Sequence, residues 1–452
     1  MDSGFGINSL SRDEMTSDKF DYWSPIVFEN GIKKSYDIEL RPQSVGNDGP
    51  YEFNFQLDNK KFIDMSTFTI NGRMGIQILD EASNKYVRIT NENAAKIGLI
   101  NNFYQSLFSG VTVKINDTEI GDSSLNSYPY STYLQTLLGT SSSQNINHVN
   151  IARGFIKDSG FNMENPKTDV PSTFLQRVSP FKENEYNDFM IELHNDACNM
   201  EKYLPPGTKI SITLRRSEDD FVLWVLESEK DKKIRIVLED IHLKVKLLEV
   251  NDVVLTNHYK LCEKNPLHIK YTKNVLKTFT SPKGSFDMSH HNLFYGNNLP
   301  NRLYIMFVEQ EAFNGNITKN PFNFETANVR ECSLLVNSIH EPSPPYVYEK
   351  NKTEKALYFS FLENTGKSAF ELDSVDVSFS DFTNGYFILA FDRSPAKDNG
   401  LLNYYPESGQ IAVNVKCNQA IEKNYMVVVF ASYSEKLIFV EDKVVSYPLN
   451  KE

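Results

Sequence analysis

The sequence predicts an all-β protein made of two sandwich domains. Short runs in which apolar and polar residues alternate recur along the chain, separated by clusters of Asn, Gly, Asp, Ser and Pro. Such alternation buries one face of a strand and leaves the other in water, as in antiparallel sandwich sheets. The 452 residues exceed one compact core and fit two domains of about 200 residues each. The clearest runs are residues 51–57 (YEFNFQL), 111–115 (VTVKI), 209–215 (KISITLR), 242–250 (HLKVKLLEV) and 410–415 (QIAVNV).

A run without apolar residues marks the expected boundary between the domains. Residues 227–233 (ESEKDKK) are all polar, and strand-like segments lie on both sides. We therefore expect a polar N-terminal arm at residues 1–30, a first sandwich at 31–229 and a second at 230–452. The halves show no residue-by-residue repeat, although each has an extended opening strand, an Asn-rich loop and paired terminal strands.

Helices are expected to be few and short. Apolar residues recur at helical spacing in residues 93–108 and 130–138, and both helices are predicted to cap a sheet end. Residues 140–184 and 342–353 are rich in Ser, Asn, Pro and Lys and predict long loops that project from the sandwich ends. Tight hairpin turns are predicted at three Asn-Gly pairs: Asn71-Gly72, Asn314-Gly315 and Asn384-Gly385.

The charge of the chain disfavours tight binding to nucleic acid. The formal net charge is −12 and the sequence pI is near 5.3, whereas binding to a phosphate backbone needs clustered Lys and Arg. The basic residues around Lys230, Lys232, Lys233 and Arg235 alternate with acids and predict a solvated turn. We expect no direct sequence-specific nucleic-acid binding.

Membrane insertion and secretion are not expected either. Apolar runs such as residues 426–431 fall far short of the ~20 residues that a membrane helix requires. Residues 1–13 lack the features of a signal peptide, so the glycosylation triplets at Asn116, Asn316 and Asn351 are expected to be idle. We expect Cys198, Cys262, Cys332 and Cys417 to be reduced, mostly buried thiols, none of them within metal-ligand spacing of a histidine.

Motifs of catalysis are not found in the sequence. The eight histidines form no HxH, HxxxH or HExxH spacing, and neither a GxSxG elbow nor a Gly-rich phosphate loop occurs. His290-His291 is interpreted as part of a surface loop, because neighbouring side chains on a strand point to opposite faces. We therefore expect no catalytic, cofactor-binding or metal-binding residue and no cofactor. Paired carboxylates, Glu309 with Glu311 and Asp219 with Asp220, keep a glycan-active sandwich enzyme open as an alternative.

Several segments, in order and spacing, resemble the double jelly-roll major capsid proteins, or hexons, of Polinton (Maverick) DNA transposons and the related adintoviruses. The resemblance spans nearly the whole chain and is loose only at residues 140–184. In the first half it lies in residues 51–55 (YEFNF), 62–70 (FIDMSTFTI), 100–115 (INNFYQSLFSGVTVKI) and 128–138 (YPYSTYLQTLL). In the second half it lies in residues 292–303 (NLFYGNNLPNRL), 312–316 (AFNGN), 320–324 (NPFNF) and 384–392 (NGYFILAFD).

The resemblance implies two tandem eight-stranded antiparallel jelly rolls with a few short helices in loops. It implies a non-enzymatic protein that forms homotrimeric, pseudo-hexameric capsomers, which contact neighbouring capsomers in an icosahedral shell with a single-jelly-roll penton protein at the vertices. It also implies synthesis inside the host cell, in the cytoplasm or nucleus, and residence in the virion capsid. A structural role is expected for the family-motif residues Asn101, Phe103, Tyr128, Asn292, Phe294, Gly296, Asn314, Gly315, Phe322, Asn384 and Gly385.

A second viral hypothesis is a vertex or spike protein that recognises a host surface. Such proteins usually have one jelly roll, so the number of sandwiches separates the two hypotheses.

Overall fold

The computed structural model describes residues 31–448 except 45, 91–95, 123, 125, 142–153, 165–171, 184–185, 367–374, 398–403 and 441–442. The predicted N-terminal arm therefore lies outside the described residues. The strands are β1 Ile32–Leu40, β2 Tyr51–Gln56, β3 Lys61–Asp80, β4 Lys85–Arg88, β5 Ile97–Leu99, β6 Phe108–Ile115, β7 Thr118–Ile120, β8 Asn187–Glu192, β9 Lys209–Arg216, β10 Leu223–Val225, β11 Ile234–Val250, β12 Leu267–Ser281, β13 His290–Gly296, β14 Arg302–Glu309, β15 Val329–Val336, β16 Ile339–Val347, β17 Ile388–Asp392, β18 Gly409–Cys417, β19 Tyr425–Val440 and β20 Lys443–Pro448. The α-helices are α1 Phe103–Ser106, α2 Ser127–Gly139, α3 Ser172–Glu183, α4 Asp219–Val222, α5 Asp252–Cys262, α6 Gln310–Phe313, α7 Glu354–Asn364 and α8 Phe379–Thr383.

Both halves of the chain form a sandwich of two antiparallel sheets. In the first half one sheet has the order β1-β11-β3, with β8 and β4 also paired to β3, and the other has the order β2-β9-β6-β7. In the second half the sheets are β12-β19-β14-β17, with β20 on β19, and β13-β18-β15-β16. A small separate sheet pairs β5 with β10.

The two sandwiches share one topology. When eight strands of each half are numbered along the chain, one sheet has the order 1-8-3-6 and the facing sheet the order 2-7-4-5 in both halves. This is the two-sheet arrangement of an eight-stranded jelly roll. The predicted fold, two tandem antiparallel jelly rolls with few helices, is therefore confirmed.

Strand pairing moves the boundary between the sandwiches relative to the sequence prediction. β11 pairs with β1 from Ile32 opposite Val250 to Leu40 opposite Leu243, and its other edge pairs with β3. This strand is the eighth of the first sandwich, although the predicted boundary at 229/230 precedes it. Residues 227–233 form only a turn before β11, because a polar run indicates exposure and not a change of sheet. We therefore propose that the division lies at α5.

Local predictions had mixed outcomes. The helix at residues 130–138 is confirmed as α2. Of the helix predicted at 93–108, residues 93–95 lie outside the described residues, and residues 96–108 contain a short strand, the single turn of α1 and the start of β6. The segment predicted to be a loop at 140–184 contains α3, and residues 342–347 belong to β16. Asn71-Gly72 makes no turn, since both residues lie inside β3, where a Cβ on Gly72 would stand 2.5 Å from Ile241. The glycine there provides space for close packing.

Candidate functional site: the junction between the sandwiches

The two sandwiches contact each other through side chains from many parts of the chain. We call this contact the junction, and buried aromatic, acidic and basic residues from both halves meet in it. It comprises α2 with residues 118–122, 154–164, 194–198 and 219–225 of the first sandwich, and residues 272–276, 310–324 and 376–387 of the second.

An aromatic cluster occupies the centre of the junction. Phe322, from the second sandwich, stacks on Tyr133 of α2 with ring centroids 4.0 Å apart and an interplanar angle of 2°. Tyr130, one turn earlier in α2, stacks on Phe313 at 5.4 Å and meets the edge of Phe322 at 5.6 Å. Tyr130 also donates a hydrogen bond from its hydroxyl to the Pro321 carbonyl at 2.9 Å. Aromatic pairs in these geometries stabilise contacts beyond the area that they bury.

Two carboxylates of the first sandwich receive hydrogen bonds from β12 of the second. Asn274 donates its backbone N–H and its side-chain Nδ2 to Asp196, at 2.9 and 2.7 Å. The Leu276 N–H donates to Asp122 at 2.7 Å. Burial raises the pKa of Asp196 to about 7, and the charge of Asp122 adds to this rise, while the bonds from Asn274 oppose it. We therefore expect the protonation of Asp196 to change with pH in the folded protein.

An ion pair joins residues 154–164 to the start of α8. The Lys157 ammonium lies 2.7 Å from Asp381 and 3.6 Å from Asp376, and the Gly160 N–H donates to Asp381 at 2.9 Å. Burial alone would raise the pKa of Asp381, but the hydrogen bonds from Lys157 and Gly160 hold it below its ordinary value. The carboxylate is charged at neutral pH and binds the two halves together.

A buried ion pair supports the same loop from within the first sandwich. Arg177 of α3 binds both oxygens of Asp158 at 3.0 Å, and neither side chain is exposed. Arg177 also donates to the carbonyls of Leu99 and Ile156. The Asp158 carbonyl accepts the Tyr386 hydroxyl proton at 2.7 Å, which extends this network into the second sandwich. Buried charges with this many partners hold a backbone in one geometry.

Four of the family-motif residues contact the first sandwich directly from the second. Besides Phe322, Gly315 has φ +92° and lies against the Phe221 backbone, where a Cβ would stand 3.4 Å away. The Asn384 carbonyl leaves no room for a side chain on Gly160, since a Cβ there would lie 1.9 Å from it. Gly385 has φ +83°, and a Cβ on it would meet Met163 at 2.6 Å. The glycines therefore permit the close approach of the two backbones.

For the other motif residues, the contacts that the structure describes lie within their own sandwich. Asn101 accepts hydrogen bonds from the N–H groups of Asn102 and Ile156, both at 2.8 Å, and Tyr128 donates to Gln105 at 2.6 Å. Phe103 is buried beneath Gly154. Asn314 ends α6 with an ordinary right-handed backbone. In β13, Asn292 has φ +55°, Phe294 is buried under the Lys277 ammonium at 4.8 Å, and Gly296 has open space around it, so these three take no part in the junction. Their structural role stays a prediction.

Three of the four carboxylates that suggested an enzyme form ion pairs with cations. Lys319 forms ion pairs with both Glu309 and Glu311, and its ammonium holds the pKa of Glu311 below the ordinary value through a hydrogen bond. Asp219 pairs with Arg216 at 2.7 Å and accepts the Ile236 N–H at 3.1 Å. Glu309, Glu311 and Asp219 are thus paired with cations, whereas burial and the charges of Asp219 and Glu218 raise the pKa of Asp220.

The structure also locates the histidines and cysteines. His290-His291 lies in β13 and not in a loop, and the His290 ring packs on Phe279 at 4.8 Å. Among the described residues, no group of three or more His, Cys, Asp and Glu side chains could hold a metal. All four cysteines are free, and burial raises the pKa of Cys198 to about 12. Within the part of the chain that the structure describes, no helix is long and apolar enough to cross a membrane.

Sequence reasoning missed one pair and most of the junction. His258 and Cys262, four residues apart in α5, bring Nε2 and Sγ to 3.4 Å, contrary to the expectation that no cysteine lies at ligand spacing from a histidine. The HxxxC spacing in the sequence was the signal that could have predicted this contact. The junction residues Tyr130, Asp196 and Asp381 carry no local motif, because their partners come from the other half of the chain.

Comparison with known proteins identifies relatives at low identity. No protein-family model matches the chain. It is 22% identical over 385 residues to an uncharacterized protein of Caenorhabditis elegans, F54H12.2, covering 82% of this chain and 86% of that protein. The structure is similar to a chain of the Sputnik virophage, with a TM-score of 0.63 and 11% identity over 98% of this chain and 94% of that one.

Two further solved structures have the same architecture. The Faustovirus major capsid protein matches with a TM-score of 0.53 and 9% identity, covering 96% of this chain and 95% of that one. The mavirus major capsid protein matches with a TM-score of 0.51 and 13% identity, covering 97% and 96%. At these identities the likeness establishes a shared fold, the double jelly roll, over almost the whole chain.

Proposed function

We propose that this chain is a non-enzymatic major capsid protein whose homotrimers form pseudo-hexameric capsomers of an icosahedral shell. The observation that carries the proposal is the pair of sandwiches with one strand order, held side by side by the junction. Three chains with two such sandwiches each present six similar units around a threefold axis. The similarity of the fold to two viral major capsid proteins over at least 96% of this chain supports the same function.

A rigid junction suits this function. A lattice of capsomers repeats one contact many times, so the angle between the two sandwiches must be the same in every copy. Stacked rings at 4.0 Å and the Lys157–Asp381 ion pair at 2.7 Å fix that angle through contacts which need both halves. The vertex-protein alternative is disfavoured, since such proteins usually have one sandwich. The cation-bound carboxylates likewise disfavour the glycan-active enzyme.

The genetic element that we propose is a Polinton-like double-stranded DNA virus or transposon. The motifs in both halves of the sequence support this assignment, and the relative in Caenorhabditis elegans favours an element resident in animal genomes. The proposed partners are neighbouring capsomers and a penton protein at the vertices, with no membrane insertion and no sequence-specific nucleic-acid binding. The proposed location is the virion capsid, after synthesis in the host cell.

Light scattering of the purified protein tests the proposal. A capsomer has three times the 51.8 kDa mass of the chain, and this mass should persist as the protein is diluted. The net charge of −12 makes free capsomers repel one another, so added salt should promote further association into lattices that electron microscopy would display. A persistent monomer contradicts the trimer, and association that weakens steadily with salt contradicts the electrostatic argument.

A further inference from the structure

Helix α5, which links the sandwiches, exposes an apolar face. None of its residues is buried. Val253 is 67% exposed, Leu261 60% and Val254 41%. At 100° per residue these three side chains fall within a 100° sector of the helix, and Asn257 falls between them. A surface helix usually turns its apolar sector towards the core. In α5 the apolar sector is exposed instead.

The other side of α5 is the one that contacts the body of the protein. His258 meets the Phe62 ring edge-on at 5.1 Å, and Tyr259 donates its hydroxyl proton to the Asn59 carbonyl. Leu255, His258 and Cys262 are partly covered there. The orientation of α5 is thus set by its inner side, and within the described residues the sector of Val253, Val254 and Leu261 has no cover.

The N-terminal arm enters the described structure next to this face. Asn251, the N-cap of α5, donates its N–H to the Gly31 carbonyl at 2.9 Å, and Ile32 lies opposite Val250. Residues 20–28 (FDYWSPIVF) precede Gly31 by only three to eleven positions in the sequence. The arm is polar overall, but this stretch contains six large apolar or aromatic residues. An α5 of 11 residues is about 16 Å long, and nine extended residues span up to about 30 Å.

The charges of the two segments are complementary. Residues 1–30 contain six acids and two bases, which gives a net charge of −4. On α5, Lys260 is exposed about 20° from the edge of the apolar sector and Lys264 follows just beyond the helix, whereas the exposed acids Asp252 and Glu263 lie about 80–100° from that edge. Neither lysine has an ion-pair partner among the residues that the structure describes. An acidic segment with aromatic side chains would complement this apolar surface and its neighbouring lysines.

We infer that residues 20–28 of the arm pack on the Val253, Val254 and Leu261 face of α5 in the same chain. The arm then covers an apolar surface beside the boundary between the two sandwiches and ties the N-terminus to both. This inference is independent of the proposed capsid function, because it concerns contacts within one chain.

Fluorescence of Trp23 in the full-length protein tests the inference. The chain has two tryptophans, and Trp224 is fully buried. Subtracting the spectrum of the Trp23→Phe variant isolates the Trp23 emission. In the wild type we expect blue-shifted emission and protection from acrylamide. In Val253→Lys/Leu261→Lys, whose altered side chains lie on the surface, the emission should shift to the red and the protection should be lost.

A matched control uses an exposed apolar residue of another sheet. Ile339 in β16 is 68% exposed, and Ile339→Lys should leave Trp23 unchanged. Circular dichroism would show that each variant keeps its strands. Trp23 emission that is already solvent-like in the wild type overturns the inference. It is also overturned if the α5 variant leaves Trp23 unchanged and lowers the mass in solution, since a second copy then covers the helix. Loss of Trp23 protection in the α5 variant at an unchanged mass supports packing of the arm on α5.

Discussion

The junction and helix α5 connect the same two sandwiches in opposite ways. The junction joins residues far apart in the chain through buried rings and charges, and Phe322 and Tyr133 are both fully buried. α5 joins the sandwiches covalently, yet no residue of it is buried. Packing between the sandwiches, and not the segment that connects them, therefore sets their relative position. Substitutions in the two regions should therefore differ strongly in their effect.

Removing the central ring of the junction should have the largest effect. Phe322→Ala leaves a cavity against Tyr130 and Tyr133 and should lower the free energy of unfolding by about 3–5 kcal/mol. Chemical denaturation measures the change. Phe359→Ala, at a phenylalanine 52% exposed on α7, is the control and should cost far less. Equal effects of the two substitutions would contradict the role of the aromatic cluster.

Removing the carboxylate that binds Lys157 should have an intermediate effect. Asp381→Ala removes the acceptor of the Gly160 N–H and leaves the Lys157 ammonium with the more distant carboxylate of Asp376, which should cost about 1–3 kcal/mol of unfolding free energy. Asp376→Ala is the matched control, because Asp376 lies 3.6 Å from the same ammonium and Asp381 lies 2.7 Å from it. If the two variants have the same denaturant midpoint, the shorter ion pair contributes no more to stability than the longer one.

The pH dependence of stability should reveal Asp196. Burial raises the pKa of Asp196 from 3.8 to about 7, so the folded state binds a proton that the unfolded state releases between these values. The contribution of this group to stability is therefore complete below about pH 4 and is lost as the pH rises to about 7, with a slope of up to about 1.4 kcal/mol per pH unit. Asp196→Asn should flatten this slope in denaturation curves taken from about pH 4 to 7. An unchanged slope would exclude Asp196 as its source.

A substitution on α5 should have the smallest effect. Thr256 is exposed, and among the described residues its hydroxyl bonds only to the Asp252 carbonyl of its own helix. Thr256→Ala should leave the unfolding free energy unchanged or raise it by up to about 0.5 kcal/mol, because alanine favours a helix. Thermal denaturation checks this. A clear loss of stability would mean that the outer side of α5 contributes to the core more than its exposure indicates.

Local patterns predicted the strands well and the boundaries less well. The alternation of residues 51–57 was sufficient to predict β2, because one side of each strand faces water. The spacing of Tyr130, Tyr133 and Leu137 was sufficient for α2. The helix predicted at 93–108 was wrong because β10 draws Ile97–Leu99 into a strand through pairing at a distance of more than a hundred residues. Pairing between distant strands overrides a weak local preference for helix.

The two β-sandwiches and the scarcity of helices could be predicted from the sequence alone, and the motif residues could be located in it. These features depend on periodicity and residue type along short segments. Three features became visible in the tertiary structure alone: β11 completes the first sandwich, Gly72 lies inside a strand, and Phe322 stacks on Tyr133. The candidate site belongs to this second group. Its contacts join residues from opposite halves of the chain, and no local pattern records which distant ring, carboxylate or backbone a side chain will meet.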